Sequence, residues 1–566
     1  MSQISGKLIT HNYTGFRGVD FTNKEVALFR SPDSLNMWKN YRTQGRCIET
    51  RPDIEKLDDY PYSVFGLFFY KVGNREMLIV HSGVYLYKEE NGVRTQLRSG
   101  MNPKKSKFFI YDNVLYILDG ISYLQYDGTT CKEVEGYIPT TTIAMTPAGK
   151  GTAFQNVNLI NPIRRNTFVG DGESTVYVLD SAGAIDTNYP VRVNINDHSV
   201  TAGFTVDYTN GTVTFTTAPS EPDTVGEPNV MIEFSKTISG YKDRLTKCTL
   251  VTEFDNRIFF SGNPDYPTML FHSELYDPTY IDDQNYYTDG FDDAKIKSIV
   301  TGNNAIWVFK EPSQSNNGVF YHTPSVYADQ KAYTSTNSSI SIGCVSEAIN
   351  FNDDIVFFSE RGLEGITSDI TTEQMVTHRS NLVDAKLLRE NNYKSPLLAE
   401  WEGYLLVFID NHVYLADSNA GYADFARYEW FYWELPITPT SVLVKDNVLY
   451  MGTENALYSL TDFADTREVN SYWTTSYDEF GYPQYQKTTN KRGSVLDCEG
   501  DEISLYTNID EKGFTFVKTY TDKELYAVNR IKKKKWKGIQ LKISTTKNVK
   551  IYSCTLESYV GGYIKR

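Results

Sequence analysis

A chain of 566 residues, 40% hydrophobic and 22% charged, exceeds the length of one ordinary core, so about two to four domains are expected. Its net charge of −15 argues against a surface that binds nucleic acid as a whole, although it leaves a local basic patch open. No part of the sequence is apolar over the ~18 residues that a membrane-spanning helix requires.

The 42 tyrosines and 30 phenylalanines favour β-strands, because aromatic side chains suit a half-buried pleated surface. The six cysteines are scattered, with no CxxC pair and no histidine at zinc-ligand spacing. We therefore expect free, buried thiols formed in a reducing cytosol. The opening residues lack the apolar segment of a secretory signal, so we expect the protein not to use the ordinary secretory route.

Residues 1–154 are predicted to hold an N-terminal segment and the first blades of a β-propeller. Polar turns that lead into short apolar strands begin in this part, at VGNREMLIV from Val72 and YDNVLYIL from Tyr111. A second turn follows at Ser82–Gly83, and turn residues of this kind accept the positive φ angles that tight hairpins need. Each unit is therefore predicted to be an antiparallel meander.

Residues 155–240 interrupt this pattern and are predicted to form an inserted small β-domain. The equivalent turn residues Asn113 and Asn256 are 143 positions apart, about 95 more than one blade needs. Within the insertion, VDYTNGTVTF from Val206 predicts a hairpin with Asn210–Gly211 at its turn. An exposed loop of a blade is expected to carry the insertion, because loop tips tolerate insertions best.

Residues 241–468 are predicted to form the remaining blades. Successive turn residues are separated by about 48, 50, 49 and 44 positions, and they are Asn256, Asn304, Asp354, Gly403 and Asn447. A period in the forties, made of short strands and polar turns, is typical of β-propellers. The alternative is a β-sandwich whose strand spacing is regular by accident.

Residues 469–566 leave the period and continue as alternating strands, such as EISLYTNID from Glu502 and KGIQLKIST from Lys537, which predict a C-terminal β-sandwich. The predicted fold class is all-β: a roughly seven-bladed β-propeller with an inserted small β-domain and a C-terminal β-sandwich.

Catalytic motifs are missing from the sequence. The seven histidines form no i, i+4 pair and flank no candidate nucleophile, and no GxSxG, P-loop or HExxH motif occurs. The S-x-D-x-G-x-x-W repeats of sialidase-type propellers are also missing. We therefore expect no catalytic, cofactor-binding or metal-binding residues, and we expect that the protein is not an enzyme.

Three stretches are candidate contact surfaces. The loop 276–295 holds six aspartates that could bind Ca²⁺, but a solvated interface loop is favoured. The basic run Arg530–Lys537, with Trp536 as its apolar anchor, predicts a contact with nucleic acid or a neighbouring subunit, or else a strand edge protected by lysines. The aromatic run Trp430–Trp433 could stack on sugars, but packing between blades is favoured.

Several motifs resemble the tail proteins of tailed bacteriophages. The first is a Gly–aromatic start at Gly15–Phe16, followed by S-x-D-x-x-N-M from Ser31 to Met37 and by Arg51–Pro52. The stretch FDNRIFFSGNPDYPTMLFHSELYDPTYI from Phe254 is similar to an F-x-x-R…SGNP…DP-x-Y pattern of the same proteins, and IWVFKE follows it. The FVGDG stretch of the insertion and the C-terminal LESYVGGYIKR also resemble segments of tail proteins.

The resemblance implies a structural virion protein of the tail nozzle, hub or stabilisation type. Such a subunit would form a homo-oligomeric ring, typically a hexamer, around the DNA exit channel. The ring would connect portal and head–tail adaptor proteins to distal tail parts or fibres, with transient passage of phage DNA and no membrane insertion. Assembly in the host cytoplasm and a location in the virion follow from the same resemblance. A receptor- or glycan-binding tail propeller and a polysaccharide-degrading enzyme stay open as alternatives.

Overall fold

The computed structural model describes residues 6–42, 47–180, 183–314, 318–327, 330–338, 340–366, 376–417, 428–461, 468–490, 493–521, 527–528 and 534–563. Within these ranges the chain forms 50 β-strands and two short α-helices. The prediction of an all-β fold is therefore confirmed.

The first part of the chain forms β1 (Lys7–Thr14), β2 (Ser34–Leu35), β3 (Met37–Trp38), β4 (Ile48–Thr50), β5 (Asp53–Asp59), β6 (Val64–Val72), β7 (Arg75–Ser82), β8 (Tyr85–Glu90), β9 (Val93–Ser99), β10 (Lys107–Tyr111), β11 (Val114–Leu118), β12 (Tyr123–Tyr126) and β13 (Cys131–Glu133). The next part forms β14 (Thr140–Met145), β15 (Thr152–Ala153), β16 (Ile163–Phe168), β17 (Val176–Val178), β18 (Arg192–Ile195), β19 (His198–Val200), β20 (Phe204–Asp207), β21 (Thr212–Phe215), β22 (Val230–Ser235) and the helix α1 (Tyr241–Thr246).

The middle of the chain forms β23 (Leu250–Phe254), β24 (Arg257–Ser261), β25 (Met269–His272), β26 (Tyr286–Thr288), β27 (Ile296–Gly302), β28 (Ala305–Lys310), β29 (Val319–Tyr327), β30 (Gln330–Asn337), β31 (Ala348–Phe351), β32 (Asp354–Ser359), β33 (Gly362–Ile366), β34 (Val376–His378) and the helix α2 (Asp384–Leu387). The last part forms β35 (Leu397–Trp401), β36 (Tyr404–Ile409), β37 (His412–Asp417), β38 (Glu429–Glu434), β39 (Ser441–Lys445), β40 (Val448–Gly452), β41 (Ala456–Thr461), β42 (Ser471–Thr474), β43 (Tyr485–Thr489), β44 (Val495–Gly500), β45 (Ile503–Ile509), β46 (Phe514–Tyr520), β47 (Ala527–Val528), β48 (Lys534–Trp536), β49 (Ile539–Thr545) and β50 (Val549–Tyr563).

Four-stranded antiparallel meanders recur along the chain, as the periodic turns predict. Six separate sheets have this form: β6–β9, β10–β13, β23–β26, β27–β30, β31–β34, and β39–β40–β41 completed by β5. The strands β35–β38 make the same meander as one end of a larger sheet. The fold is therefore an all-β, β-propeller-like arrangement of small sheets.

The predicted polar turns lie at the tips that join the first strand of each meander to its second strand. The tip residues with positive φ are Gly73, Asp112–Asn113, Asp255–Asn256, Asn303–Asn304, Asn352–Asp353, Glu402–Gly403 and Asp446–Asn447. Asn, Asp and Gly tolerate this left-handed conformation better than other residues, which explains why they mark the repeat. The predicted turn at Asp354 lies one residue too late, because Asp354 is already the first residue of β32.

The chain divides into two compact units. Unit 1 comprises Met1–Phe69, Val80–Gly83 and Ile342–Arg566, and unit 2 comprises Tyr70–Ile79 and Val84–Ser341. This division groups the residues differently from the predicted domains, and the boundaries of those domains stay a prediction. Within the described part of the chain, no helix is both long and apolar enough to span a bilayer.

In unit 1 the first strands of consecutive meanders lie side by side, since β35 contacts both β31 and β39. The strand β5 pairs antiparallel with β41, with Thr461 opposite Asp53 and Ala456 opposite Asp59. An N-terminal strand thereby completes a sheet whose other three strands lie about 400 positions later. Unit 2 shows the same neighbour relation, because β23 contacts both β10 and β27.

The N-terminal strands of unit 1 also join the C-terminal region. The sheet β35–β38 continues through β3 and β4 into β50. The strand β1 pairs with β50 over eight positions, from Lys7 opposite Val560 to Thr14 opposite Ser553. A five-stranded sheet of order β2–β42–β49–β45–β46 packs into the same hydrophobic core. The C-terminal strands predicted from the sequence therefore exist, but N-terminal strands complete their sheets.

The inserted region of unit 2 has its own core. One sheet has the order β15–β14–β16–β22–β18–β19, and a second has the order β17–β21–β20. Fully buried Phe168, Tyr177 and Ile232 lie in the core cluster of this region. The predicted hairpin is confirmed, with Asp207 opposite Thr212 and Gly211 at a positive φ of 65°. The first strand of this sheet in chain order is β14, which begins at Thr140.

All six cysteines are free, and five of them are buried. Burial raises the pKa of the Cys498 and Cys554 thiols to about 12, so both stay protonated and unreactive. They behave as small core residues, as predicted from the sequence.

Candidate functional site

The aromatic run Trp430–Trp433 is a packing element. Trp430, Phe431, Tyr432 and Trp433 are at most 3% exposed. The Nε1 atom of Trp430 donates a hydrogen bond to the carbonyl oxygen of Arg379 at 3.1 Å, and Tyr432 lies opposite Met37 in the pairing of β38 with β3. The favoured interpretation as core packing is confirmed, and sugar stacking on these rings is wrong because their faces are covered.

The predicted solvated character of the aspartate-rich loop is wrong for two of its six aspartates. Asp277, Asp283, Asp292 and Asp293 are at least partly exposed, but Asp282 is 8% exposed and Asp289 is fully buried. Asp289 accepts hydrogen bonds from His322 Nε2 and Ser335 Oγ, both at 2.8 Å. Burial of this carboxylate is tolerated because polar partners surround it. Among the described residues, no group of His, Cys, Asp or Glu side chains is arranged to hold a metal ion.

The basic run Arg530–Lys537 lies partly outside the described residues, which include it only from Lys534 onwards. Trp536 is 1% exposed and packs at 5.7 Å against the ring of Phe480, so its predicted role as the apolar anchor is confirmed. Lys487, which is 1% exposed, donates from Nζ to the carbonyl oxygen of Lys537. Whether the run contacts nucleic acid or a neighbouring subunit stays a prediction.

A charged cluster that the sequence did not reveal surrounds His378 in unit 1. Its Nε2 atom lies 2.6 Å from Asp384 Oδ2 and its Nδ1 atom lies 3.2 Å from Glu364 Oε1. The hydrogen bonds that its ring donates to these two carboxylates raise the pKa of His378 to about 9. Ser380 donates to Asp384 and Ser359 donates to Glu364, so the carboxylates are held in place. This cluster ties the ends of the strands β32–β34 to α2.

We expect the His378 cluster to make stability depend on pH. The folded-state pKa of about 9 lies above the ordinary value of 6.5, so the contribution is complete below pH 6.5 and is lost as the pH rises through 9. His378→Gln should lower the free energy of unfolding at pH 6 by about 2 kcal/mol and have much less effect at pH 10. Urea denaturation at both pH values measures this, and an equal loss at both would contradict it.

A pair of buried carboxylates lies elsewhere in unit 1. Asp417 and Glu429 are opposite each other in the pairing of β37 with β38, so their side chains share one face of the sheet. Asp417 is fully buried and accepts a short hydrogen bond from the Tyr41 hydroxyl group. Burial raises the pKa of Glu429 to about 7, and the neighbouring carboxylate of Asp417 adds to this, while Arg30 and Arg17 oppose it.

We expect Glu429 to destabilise the fold when it ionises. Its folded-state pKa of about 7 exceeds the ordinary 4.5, so its favourable contribution is complete below pH 4.5 and is lost as the pH rises through 7. Glu429→Gln should therefore raise the free energy of unfolding at pH 8 relative to the wild type by about 1–3 kcal/mol. Denaturant titrations at pH 5 and 8 test this. The control is Glu434→Gln, an exposed glutamate on the same strand, which should show no such pH-dependent gain.

One cavity in unit 1 has a volume of about 400 Å³ and is here called the tip cavity. Two of the positive-φ turns contribute to it, Glu402–Gly403 through Glu402 and Asp446–Asn447 through both residues. Because β35 and β39 are neighbours, their turn tips come together at one end of the two sheets. Its lining comprises Trp38, Asn40, Arg42, Pro52, Trp401, Glu402, Asp446, Asn447, Val448, Ser459, Leu460 and Thr461.

One wall of the tip cavity is aromatic. The rings of Trp38 and Trp401 have centroids 5.2 Å apart, and Trp433 packs behind both. The Nε1 atom of Trp401 donates to the carbonyl oxygen of Asn447 at 2.9 Å, which fixes the Asp446–Asn447 turn against the tryptophan. The wall is therefore rigid, since each indole ring is held by its neighbours.

The rim of the tip cavity is polar and charged. Arg42 makes a short ion pair with Glu402, and Asn40 donates from Nδ2 to Glu49 Oε1 at 2.6 Å. The Asp446 carboxylate is 78% exposed and pairs with Lys445 at 2.6 Å. Acceptors and donors thus alternate around an aromatic wall. The charged groups of the rim are therefore paired within the protein, Arg42 with Glu402 and Lys445 with Asp446.

No protein-family model matches the chain, and no curated protein matches it. Solved structures align with it at low similarity. An exo-β-1,3-galactanase from Phanerochaete chrysosporium with galactose aligns over 93% of this chain and 100% of its own, with 8% identity and a TM-score of 0.23. Apo AztD from Citrobacter koseri aligns over 71% and 91%, with 10% identity and a TM-score of 0.28. Hsv2 from Kluyveromyces lactis aligns over 66% and 97%, with 7% identity and a TM-score of 0.23.

These low TM-scores assign no activity to this chain. They do correct one expectation from the sequence. The prediction that the protein is not an enzyme is wrong as an exclusion, because glycoside hydrolases are among the structures that align over most of the chain. The missing motifs were those of sialidases and of common hydrolases, and other catalytic arrangements do not need them.

The residues of the tip cavity escaped the sequence reasoning for a clear reason. Glu402–Gly403 and Asp446–Asn447 were recognised as turns, but a turn signal does not say what faces it. Trp38 and Trp401 are 363 positions apart, and only the fold brings their rings together. The usable signal was a tryptophan directly before a predicted turn, in the order Trp401–Glu402–Gly403.

Proposed function

We propose that this chain is a structural subunit of a bacteriophage tail, of the nozzle or hub type, with roughly seven propeller blades. The seven four-stranded meanders support this blade count. The pairing of β5 with β41 in unit 1 fits the same proposal, because it completes a four-stranded meander with a strand from the N-terminal part of the chain.

The observation that carries the proposal is the structural role of the tail-protein motif residues. In the S-x-D-x-x-N-M motif, Ser31 Oγ donates to the carbonyl oxygen of Thr474, and Asn36 Nδ2 donates to that of Asn470. Asn36 Oδ1 accepts from Arg51 Nε and from the backbone N–H of Glu434. The motif thus joins the sheet β35–β38 to the C-terminal region, which explains why these residue types occur in this order.

The second motif has a comparable role in unit 2. In the SGNP stretch, Gly262 has a φ of 75°, and Asn263 Nδ2 donates to the carbonyl oxygens of Asp243 and Arg244. These carbonyls lie near the C-terminal end of α1, where the backbone N–H of Lys247 also donates to the Asp243 carbonyl, so Asn263 adds a second donor at the end of the helix. In the DP stretch, Asp277 accepts from the backbone N–H and the hydroxyl group of Thr279. Residues of both motifs therefore make hydrogen bonds that hold this framework together.

The interlocked N-terminal strands suit a conduit that experiences force. Strands β1 and β4 pair with β50, and β3 bridges β4 to the sheet β35–β38, so peeling either end requires breaking pairings to distant strands. In the proposed assembly, copies of the chain form a homo-oligomeric ring, a hexamer, around the DNA exit channel. Portal and adaptor proteins lie on one side and distal tail parts on the other. The net charge of −15 favours a lumen that repels DNA and lets it slide.

Electron microscopy of the purified protein and of the phage that encodes it tests the proposal. We expect rings with a central channel, and density for the chain between the portal and the distal tail. Light scattering should give the mass of a hexamer at the concentration used for imaging. A protein that stays monomeric and is missing from purified virions would overturn the proposal.

A further inference from the structure

We propose that the strand β46, with the outer face of its five-stranded sheet, is a surface on which a second copy of this chain docks through its own strand β5. The inference rests on the homo-oligomeric ring of the proposed function and names a contact that builds it. Both strands belong to unit 1, and among the described residues each is the end strand of its sheet. The free side of an end strand is a template for pairing with another chain.

Two exposed aromatic side chains lie close together on β46. Phe514 is 40% exposed and Phe516 is 59% exposed. Phe516 lies opposite Tyr506 of β45, and the two rings meet edge to face with centroids 5.6 Å apart. Leu505 is fully buried in the core, so the neighbouring Tyr506 and its partner Phe516 point to the opposite, outer face. Exposed rings of this kind are typical of the centres of protein–protein interfaces.

Two lysines accompany these rings. Lys542 of β49 has its Nζ atom 3.4 Å from the ring centroid of Tyr472 and 5.9 Å from that of Phe514. Lys518, on β46 itself, is exposed. Within the described ranges neither ammonium group forms an ion pair. The carboxylate whose charge reaches Lys542 is that of Asp33, which accepts a hydrogen bond from the Tyr472 hydroxyl group at 3.0 Å.

The carboxylates of the turn that precedes β46 have partners within the protein. Asp510 accepts hydrogen bonds from the backbone N–H groups of Lys537 and Gly538. Glu511 pairs with Lys24 at 2.5 Å. The lysines of the β46 surface are therefore available to a partner, and the chain as a whole, with its net charge of −15, is such an acidic partner.

Strand β5 carries the complementary chemistry. Its exposed part, Glu55–Asp59, holds three carboxylates against one lysine, and Leu57 in its middle is 45% exposed. Two β46 surfaces that faced each other would bring like-charged lysines together, which disfavours pairing of the surface with itself. A contact between two different surfaces of identical copies is heterologous, and closed rings with more than two members are built from such contacts.

The test reverses charges at exposed positions of the full-length protein and follows assembly by light scattering over a range of concentrations. Lys518→Glu and Glu55→Lys should each raise the concentration of half-maximal assembly about 10-fold, because each replaces an attraction with a repulsion. The double variant should recover most of the wild-type assembly, since it restores opposite charges with their positions exchanged. Phe516→Ser should weaken assembly about 10-fold through the loss of a buried ring.

The matched controls make the same chemical changes elsewhere. Glu400→Lys reverses an exposed glutamate on β35, and Phe154→Ser removes a 63% exposed ring in unit 2. Both should assemble like the wild type. Circular dichroism and thermal melting establish that every variant is folded.

The outcomes separate this inference from the proposed function. If the wild type forms rings and the β46 variants assemble as tightly as the controls, the docking surface is wrong and the ring stands without it. If the single charge variants weaken assembly but the double variant does not recover it, β5 is not the partner strand. A wild type that stays monomeric overturns both proposals. Saturable binding of an oligothymidylate, lost in Lys518→Glu and Phe516→Ser while assembly is unchanged, would assign the surface to single-stranded DNA and overturn docking of a second copy.

Discussion

Replacing Tyr13 with alanine is expected to lower the free energy of unfolding of unit 1 by about 3–5 kcal/mol. Tyr13 is fully buried on β1, within the core shared with the C-terminal sheets. Its hydroxyl group donates to Asp478 Oδ2 at 2.6 Å, and burial together with Asp478 raises the pKa of Tyr13 well above its usual range, so it remains a donor. The variant loses the ring packing and also deprives a 6% exposed carboxylate of a donor.

A graded series separates these two losses. Tyr13→Phe keeps the ring and removes the hydrogen bond, so it should cost only about 1–2 kcal/mol. Leu8→Ala, at a 45% exposed position on the same strand, should change stability by less than about 0.5 kcal/mol. Urea denaturation followed by tryptophan fluorescence measures all three. Backbone hydrogen exchange along β50 should be faster in Tyr13→Ala than in the wild type. If Tyr13→Ala is as stable as Leu8→Ala, then β1 does not anchor the C-terminal region.

Replacing Trp433 with alanine is the second change with a large expected effect, again about 3–5 kcal/mol of unfolding free energy. Trp433 is 1% exposed, and its ring lies 5.5 Å from Trp38 and 6.0 Å from Trp401. Removing it leaves a void behind both rings of the cavity wall. Interiors are close-packed and relax only in part, so the cost includes lost contacts as well as lost burial.

Trp433→Phe refills part of this void and should cost less than half as much as the alanine variant. Glu434→Ala, at the exposed neighbouring position, is the control and should stay within about 0.5 kcal/mol of the wild type. Denaturant titration gives the stabilities, and fluorescence quenching by iodide reports access to Trp38 and Trp401. Loss of stability without greater access to these rings would show that the wall is supported from another side.

The repeat could be predicted because it depends on local chemistry. Pairs such as Asp255–Asn256 and Asp446–Asn447 adopt positive φ angles that few other residues accept, so the turn positions are written in the sequence. The interlocking of β2 with β42 could not be predicted in this way. In that pairing Ser34 lies opposite Trp473 and Leu35 lies opposite Tyr472, more than 400 residues later in the chain. Strands this short carry no periodic signal of their own.

The candidate site was harder to predict than the fold, because its members are ordinary residues brought together by tertiary contacts. Glu429 is a glutamate in an aromatic strand, and nothing near it in sequence indicates that Asp417 lies opposite. His378 is six positions from its first partner, Asp384, at the start of α2, but its second partner, Glu364, lies on another strand. In both cases a pKa is shifted by burial and by charges that are distant in sequence, which composition cannot report.

The pairing of β1 with β50 has a consequence for synthesis on the ribosome. About 540 residues must be translated between Thr14 and its partner residue Ser553, which takes roughly 30–100 s at ordinary elongation rates. Most of unit 2 is one continuous stretch, Val84–Ser341, and can fold while the rest is still being made. During that interval β1 has no partner strand and can pair incorrectly with other strands. A chaperone that shields the first strands would therefore raise the yield of correctly folded protein.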